Sequence, residues 1–337
     1  MIVLGIDSSC DDTAAAVVAD GRTTLSSVVH SQIPLHRPHG GVVPELASRE
    51  HLRNIGPVVR ESLKRAEVSL EKIEGIAVTV GPGLIGSLLV GLYYAKAVSY
   101  CRDIPIVGVN HLEGHILSIF LEDSAPEFPF VAMTVSGGHT NIYLVKGFGE
   151  YEQLAHTVDD AAGEAFDKAA KLMGLGYPGG WAIESLAREG STDSIRFPRP
   201  MLSSESSDFS FSGLKTALAL YYRKWKDTED KQGNLTMADI AASFQEAVVD
   251  VLAGKLASAV RMTCVKAVAV AGGVACNNRL RTRLTEQMGH EGVRVFFPRA
   301  AYCTDNGAMI AVAGFHRLIK GERADLGIDV RSRYPID

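Results

Sequence analysis

An excess of basic charge is missing from this sequence: 34 Lys and Arg against 39 Asp and Glu leave a formal charge of -5 over 337 residues. A protein that holds nucleic acid over its whole surface neutralises phosphates with patches of Lys and Arg, so any RNA contact here must be local or shared with a partner. Cysteine is also sparse. Cys10, Cys101, Cys264, Cys276 and Cys303 include no C-x-x-C pair, and an odd number cannot close completely into intrachain disulfides, which excludes a disulfide scaffold and fits a reducing, cytoplasmic compartment. The N-terminus reaches Asp7 without a basic region or a long apolar run, so a first strand is expected there rather than a signal peptide.

Long apolar runs are scarce as well. Residues 76–95 carry no charge over a length that can span a bilayer. Gly81-Pro82-Gly83 breaks that run, and a short strand, a tight turn and a buried helix of about a dozen residues are expected instead of a membrane span. What is present is the balance of a folded globular protein, with 46% hydrophobic and 22% charged residues and only 13 prolines. The length suits two lobes of roughly 100 to 200 residues each.

Residues 2–6 read as an apolar strand, Asp7 to Thr13 as a polar turn, and AAAVVA as a returning strand. PFVAMTVSGGHTNIYLVK repeats that plan around a Ser-Gly-Gly-His-Thr turn, so the chain looks internally duplicated. Helical patterns follow each hairpin, at Pro44 to Ala66 and at Asp239 to Met262. Two similar α/β lobes facing a cleft are the expected result. A further strand, turn and helix is expected at KAVAVAGGVACNNRLRTRL, with Asn277 or Asn278 capping the helix. The stretch from Phe197 to Gly233, with FPRP, a serine cluster and RKWKDTEDK, reads as an irregular insertion.

His111 and His115 stand four residues apart in NHLEGHILSIF, which on a helix puts two imidazoles on one face within reach of one ion. Two helix histidines with ordinary hydrogen-bond partners are the plainer alternative. Asp305, in CTDNGAMIA before a small-residue helix, is the best third ligand, because a carboxylate beside two imidazoles leaves positions open for water or substrate. Its plainer role is a helix N-cap. The order H-x-E-x-H differs from the H-E-x-x-H of zinc proteases, and Glu113 falls about 200° around the helix from each histidine, away from the metal.

The glycines of Ser136-Gly137-Gly138-His139-Thr140 can turn backbone N–H groups towards an anion such as a phosphate. The acidic tip at Asp7, Ser8, Ser9, Asp11, Asp12 and Thr13 holds the equivalent place in the first repeat, and suits polarising an amine, positioning water or binding a cation. Asp159, Asp160, Glu164 and Asp167 open a helix whose dipole they complement. Asp167 can alternatively accept from ribose hydroxyls, with the YPGG turn ending at Gly180 close to the same sugar.

In order along the chain, GIDSSCDDT, GGVVPELASR, GPGLIGSLLVG, HLEGH, VSGGHT, DDAAGEAFDK, YPGG, FSFSGLKT, AGGVACN and CTDNGAMIA resemble the TsaD family over essentially the whole length. That resemblance implies an actin-like, hexokinase-like fold of two duplicated lobes around a nucleotide-binding cleft. It implies an N-terminal lobe over 1–105 with a C-terminal helix at 307–325 packing back on it. The second lobe, 106–306, would carry the metal and nucleotide motifs and an insertion near 197–233. The implied activity is transfer of threonylcarbamoyl from threonylcarbamoyl-AMP to N6 of the adenine immediately 3′ of the anticodon, in tRNAs reading ANN codons.

Matching positions make His111, His115 and Asp305 the ligands of one divalent ion, iron or zinc, and Thr134, Val135, Ser136, Gly137 and Gly138 the loop that holds the activated substrate. Asp167, Gly180 and Asn277 match nucleotide contacts. Glu184, together with Trp181, departs from the Asp and Pro common after YPGG, and Glu184 is expected at the ribose. Asp11 and Asp12 are catalytic candidates from the first motif. The implied partners are tRNA, a TsaB-like paralogue and a TsaE-like ATPase, with a homodimer left open when the paralogue is absent and no membrane partner. Gly83, Ser87, Gly91 and Ala95, spaced every four residues, permit close helix contact, with packing inside the lobe the first expectation. Arg279, Arg281, Arg283 and the RKWK run are candidate phosphate contacts. The competing readings are a small-molecule kinase of the same fold, an inactive scaffold and a metallopeptidase.

Overall fold

The computed structural model describes residues 1–202, 206–227 and 235–336. Two compact units form: Met1–Pro126 with Gly147–Tyr151 and Phe297–Asp337, and Glu127–Lys146 with Glu152–Phe296.

Alternating apolar runs build the sheet of the first unit from β1 (Ile2–Asp7), β2 (Asp12–Ala19), β3 (Thr23–Ser31), β4 (Gly75–Gly81) and β5 (Ile106–Asn110) in the order β3-β2-β1-β4-β5. The first two strands are antiparallel, and their register ends at Asp7 opposite Ala14. β4 then joins β1 in parallel. Between these strands lie α1 (Ile33–His36), α2 (Pro44–Arg65) and α3 (Ile85–Arg102), followed by α4 (His111–Leu117). Leu4, Ile6, Val17, Ile55, Val59, Val78 and Leu92 pack into the core that holds sheet and helices together.

The sheet of the second unit comes from β6 (Phe130–Val135), β7 (Thr140–Gly147), β8 (Glu150–His156), β9 (Ala267–Ala271) and β10 (Arg294–Phe296), in the order β10-β9-β6-β7-β8. Again the leading hairpin is antiparallel and the next strand, β9, joins β6 in parallel. The duplication read from the two hairpins therefore extends to the full order of both sheets. Helices α5 (Ala162–Met173), α6 (Gly179–Ala187), α7 (Ser212–Asp227), α8 (Met237–Thr263) and α9 (Asn278–His290) surround this sheet. α8 opens with a capping box between Thr236 and Asp239 and is buried around most of its circumference, as its near-continuous apolar composition requires.

The chain ends with α10 (Ala300–Cys303) and α11 (Gly307–Ile319), both in the first unit. α11 lies on β1, β2 and β4. The approach is close because Gly307 has no side chain: a Cβ there would come within 2.5 Å of Ala16 N.

Two expectations change, and a third, the break in the uncharged run, holds. The first unit continues through 106–126 rather than stopping at 105, because α4 is buried on every face and packs on α11. The stretch read as irregular contains the 16-residue α7, anchored by buried Leu214 and Leu218; of that stretch, residues 203–205 and 228–233 lie outside the described residues. The uncharged run at 76–95 splits into β4 and α3, and no helix among the described residues is long and apolar enough to cross a membrane.

Candidate metal centre

Asn110 ends β5 and caps α4, accepting from Leu112 N at 2.9 Å. The cap starts the helix at His111, so His111 and His115 fall on one face, one turn apart. Asp305 follows α10 in the chain. It does not cap α11: Asn306 does, its Oδ1 accepting from Met309 N at 2.9 Å, which leaves the neighbouring carboxylate for other work.

Both imidazoles present Nε2 to that carboxylate. His115 Nε2 lies 3.1 Å and His111 Nε2 3.5 Å from Asp305 Oδ1, and the rings stand edge to face with centroids 4.7 Å apart. One ligand atom from each residue lies within 4.8 Å of the others. The histidines are buried and neither Nδ1 has a hydrogen-bond partner; Asp7 Oδ2 is 3.5 Å from His111 Nδ1. Two imidazole nitrogens and a carboxylate oxygen converging in a buried pocket form a donor set that fits one divalent ion such as iron or zinc. In the metal-free chain, burial works against the His111 imidazolium, but the carboxylates of Asp305 and Asp7 outweigh it and raise the group to about 10. Burial opposes the Asp305 carboxylate too, and the two histidines reverse that, holding it well below its usual range.

The acidic turn after β1 adjoins this centre. Asp7 is fully buried and accepts from Ser9 N at 3.2 Å. His51 Nε2 donates to Cys10 O at 3.0 Å, because a carbonyl only accepts, and so Nδ1 accepts from Thr13 Oγ1 at 2.7 Å. Asp12 Oδ1 is buried without a partner. Burial, and after it the charge of Asp305, lifts the Asp12 carboxyl to about 7. Asp11 lies in the same turn, its carbonyl accepting from Gln32 N at 3.0 Å.

Glu113 points away from the ligands, as its helix position requires. It is 1% exposed, with Arg317 on one oxygen and the Tyr151 hydroxyl on the other, so it cannot serve a metallopeptidase as general base. Sequence reading placed Glu113 off the metal face but missed Arg317, whose position in chain carries no local signal of that contact.

In the second unit, Ser136 N donates to His139 O at 2.8 Å and closes the turn between β6 and β7. Gly137 and Gly138 are exposed with open space beside them, and Thr134 Oγ1 is buried without a partner beneath. Val135 ends β6 opposite Thr140, whose Oγ1 accepts from Ala162 N at 2.9 Å at the start of α5. Gly163 N donates to Ser136 O at 3.2 Å, and a Cβ on Gly163 would sit 2.5 Å from that oxygen. The turn is thus seated on the N-terminus of α5.

Further along α5, Asp167 Oδ1 accepts from Gly179 N at 2.7 Å, and Gly180 beside it borders open space. Glu184 Oε1 accepts from Asn278 N at 3.0 Å and Asn278 Nδ2 at 2.7 Å. Asn277 caps α9 through Leu280 N at 3.0 Å and donates to Gln245 Oε1 at 2.8 Å, so its side chain is largely committed to the fold. The same is true of the arginines after it. Arg279 donates Nε to Glu246 Oε2 and Nη2 to Glu246 Oε1, each at 2.6 Å, Arg283 meets Asp250 at 3.2 Å and Arg281 Nε donates to Ala275 O at 2.6 Å.

The family model for TsaD, tRNA N6-adenosine threonylcarbamoyltransferase, matches residues 23–312. The chain is 54% identical over its full length to the tRNA N6-adenosine threonylcarbamoyltransferase of Syntrophus aciditrophicus, covering 98% of that protein. It is 50% identical over its full length to the enzyme of the same description from Thermodesulfovibrio yellowstonii, covering 100% of it. Among solved structures, the 2-hydroxyisocaproyl-CoA dehydratase activator of Clostridium difficile superposes over 95% of this chain and 97% of its own, with a TM-score of 0.55 at 14% identity. Full-length HypF, in a phosphate- and nucleotide-bound form, superposes over 94% of this chain and 46% of its own, with a TM-score of 0.61 at 16% identity. At those identities the likeness speaks for the fold, an actin-like and hexokinase-like pair of duplicated lobes. On the family match and the full-length relatives together, this chain belongs to the TsaD family of tRNA N6-adenosine threonylcarbamoyltransferases.

Proposed function

We propose that this enzyme activates its acyl donor at the metal centre of the first unit. The reaction moves threonylcarbamoyl from threonylcarbamoyl-AMP to N6 of the adenine immediately 3′ of the anticodon in tRNAs reading ANN codons. The observation that carries this reading is the convergence of His111 Nε2, His115 Nε2 and Asp305 Oδ1 in the first unit. These three residues would hold a divalent ion, iron or zinc, which would supply Lewis-acid chemistry towards the carbamoyl-phosphate anhydride.

The remaining roles belong to groups of the chain itself. The amides of Gly137 and Gly138, in a turn fixed by Gly163, donate to the anionic donor, with Thr134, Val135 and Ser136 shaping the loop. Asp167, the backbone at Gly180, Glu184 and the start of α9 at Asn277 hold the adenylate. Asp12, whose Oδ1 is buried without a partner, takes a proton from the attacking amine, and Asp11 orients the same turn.

The protein partners are those the family resemblance implies, and α3 offers them an apolar face. Its small-residue stripe faces inward: Ser8 Oγ donates to Ser87 O at 2.8 Å and accepts from Gly91 N at 3.2 Å, and Ala95 is buried. The outer face carries Ile85 and Tyr93, with Leu52 exposed on α2. A TsaB-like paralogue docks on this apolar face, and a TsaE-like ATPase joins the assembly. With Arg279, Arg281 and Arg283 engaged internally, the exposed Arg223, Lys224 and Lys226 at the end of α7 are the better phosphate contacts for tRNA. Mass analysis of nucleosides from tRNA incubated with the chain, its partners and threonylcarbamoyl-AMP tests the reading, with and without His111→Ala.

A further inference from the structure

Metal sites are only as good as the elements that present their ligands, since donor atoms misplaced by about 1 Å bind poorly. Here the ligands come from two helices far apart in sequence. α4 carries His111 and His115, and Asp305 stands immediately before α11. Behind the rings stands only the Asp7 carboxylate, 3.5 Å from His111 Nδ1, while His115 Nδ1 has no hydrogen-bond partner. The mutual placement of α4 and α11 must therefore be set elsewhere.

We propose that the buried Glu113–Arg317 pair is the positioning element of the metal centre, locking α4 against α11 so that His111 and His115 meet Asp305. Glu113 Oε2 accepts from Arg317 Nε at 2.9 Å and Nη2 at 2.7 Å, while Oε1 accepts from the Tyr151 hydroxyl at 3.1 Å. Arg317 Nη1 donates to Glu322 at 2.9 Å, so the guanidinium is itself fixed.

The pair holds the opposite side of the helix from the ligands. Glu113 lies about 200° around α4 from each histidine. Arg317 is in the last turn of α11, whereas Asp305 precedes the first turn. About 15 Å of α11 separates those ends, comparable with the 10–12 Å width of α4 and its side chains. α4 is thus gripped from both sides, by ligands at one end of α11 and by the ion pair at the other. Between them the helices touch at Gly114, where a Cβ would come within 2.8 Å of Ile310 Cδ1.

Burial of a charged pair gives little net stability compared with apolar residues of similar volume, but its bidentate geometry specifies register. That distinction makes the proposal testable. It rests on the reading of His111, His115 and Asp305 as ligands, and Co2+ titration of the metal-free full chain, followed by visible absorption, separates the two. A wild-type spectrum that survives His111→Ala would sink the ligand reading and this proposal with it.

Given a His111-dependent spectrum, Glu113→Leu combined with Arg317→Met removes both charges and leaves neither orphaned. This double variant is expected to fold, to bind Co2+ about 10- to 100-fold more weakly and to shift the absorption band. Leu92→Ala, which lowers the stability of the same unit through its core, is expected to keep both wild-type affinity and spectrum. Wild-type affinity and spectrum in the double variant would overturn the proposal. Should the double variant not fold, Glu113→Gln and Arg317→Lys keep part of the hydrogen bonding; intermediate Co2+ affinities support the proposal and unchanged ones overturn it.

Discussion

Asn306 caps α11 by accepting from Met309 N at 2.9 Å, while Asp305 beside it sets Oδ1 3.1 Å from His115 Nε2. Adjacent residues thus split two jobs that either side chain can do in principle. Asn306→Ala is expected to lower stability by about 1 kcal/mol through loss of the cap. Asp305→Asn is expected to leave α11 capped and to lose bound metal. Thermal unfolding of the metal-free chains, with metal content measured by elemental analysis, checks the separation.

Gly163 is expected to tolerate no side chain, since its Cβ would meet Ser136 O, a backbone atom with little freedom to move. Gly163→Ala should cost about 1–3 kcal/mol by overpacking and displace the turn at Gly137 and Gly138. A transfer assay on folded variant should register a higher KM for threonylcarbamoyl-AMP.

How much of this was legible in the sequence depends on how local each feature is. The β1–β2 and β6–β7 hairpins announced themselves through continuous apolar runs around polar turns, and the Asn277-Asn278 pair announced the start of α9, which Asn277 caps. The histidine spacing and the direction of Glu113 away from the ligands followed from helix geometry alone. What sequence hid was long-range. The extension of the first unit past 105 depends on α4 packing on α11, and Arg317 finds Glu113 across 204 positions. α7 was obscured because serines and prolines precede a helix whose buried side is narrow, Leu214 and Leu218.

Asp12 gives a pH prediction with a definite sign. Burial and Asp305 raise its carboxyl from 3.8 to about 7 in the folded, metal-free chain. The folded state therefore binds this proton more tightly than the unfolded one, and stability falls as pH rises between those values. Asp12→Asn should be more stable than wild type at pH 8, with the advantage shrinking towards pH 4, and should transfer more slowly. Urea midpoints across that range provide the check.

His316 titrates in the opposite sense. It stacks on Phe148 with centroids 3.4 Å apart, and burial, aided by Lys320, lowers it from 6.5 to about 4. The unfolded chain then takes up the proton first, so stability falls as pH drops through that window. His316→Gln, which does not titrate there, should flatten this part of the profile, measured as denaturant midpoints at pH 5 and pH 7.

Tyr93 is 61% exposed on the outer face of α3. Tyr93→Asp is expected to leave the chain folded and metal binding intact while weakening capture of the proposed TsaB-like partner. Sedimentation of the mixed proteins measures the capture.

The central claim is that the ligand set of His111, His115 and Asp305 serves a threonylcarbamoyl transfer to tRNA. Mass analysis of digested tRNA after incubation with the chain, its partners and threonylcarbamoyl-AMP tests it most directly. The account predicts N6-threonylcarbamoyladenosine with the wild-type chain and its loss, with metal, in folded His111→Ala. Unmodified adenosine with the wild-type assembly, or full modification by a metal-free His111→Ala chain, would contradict it.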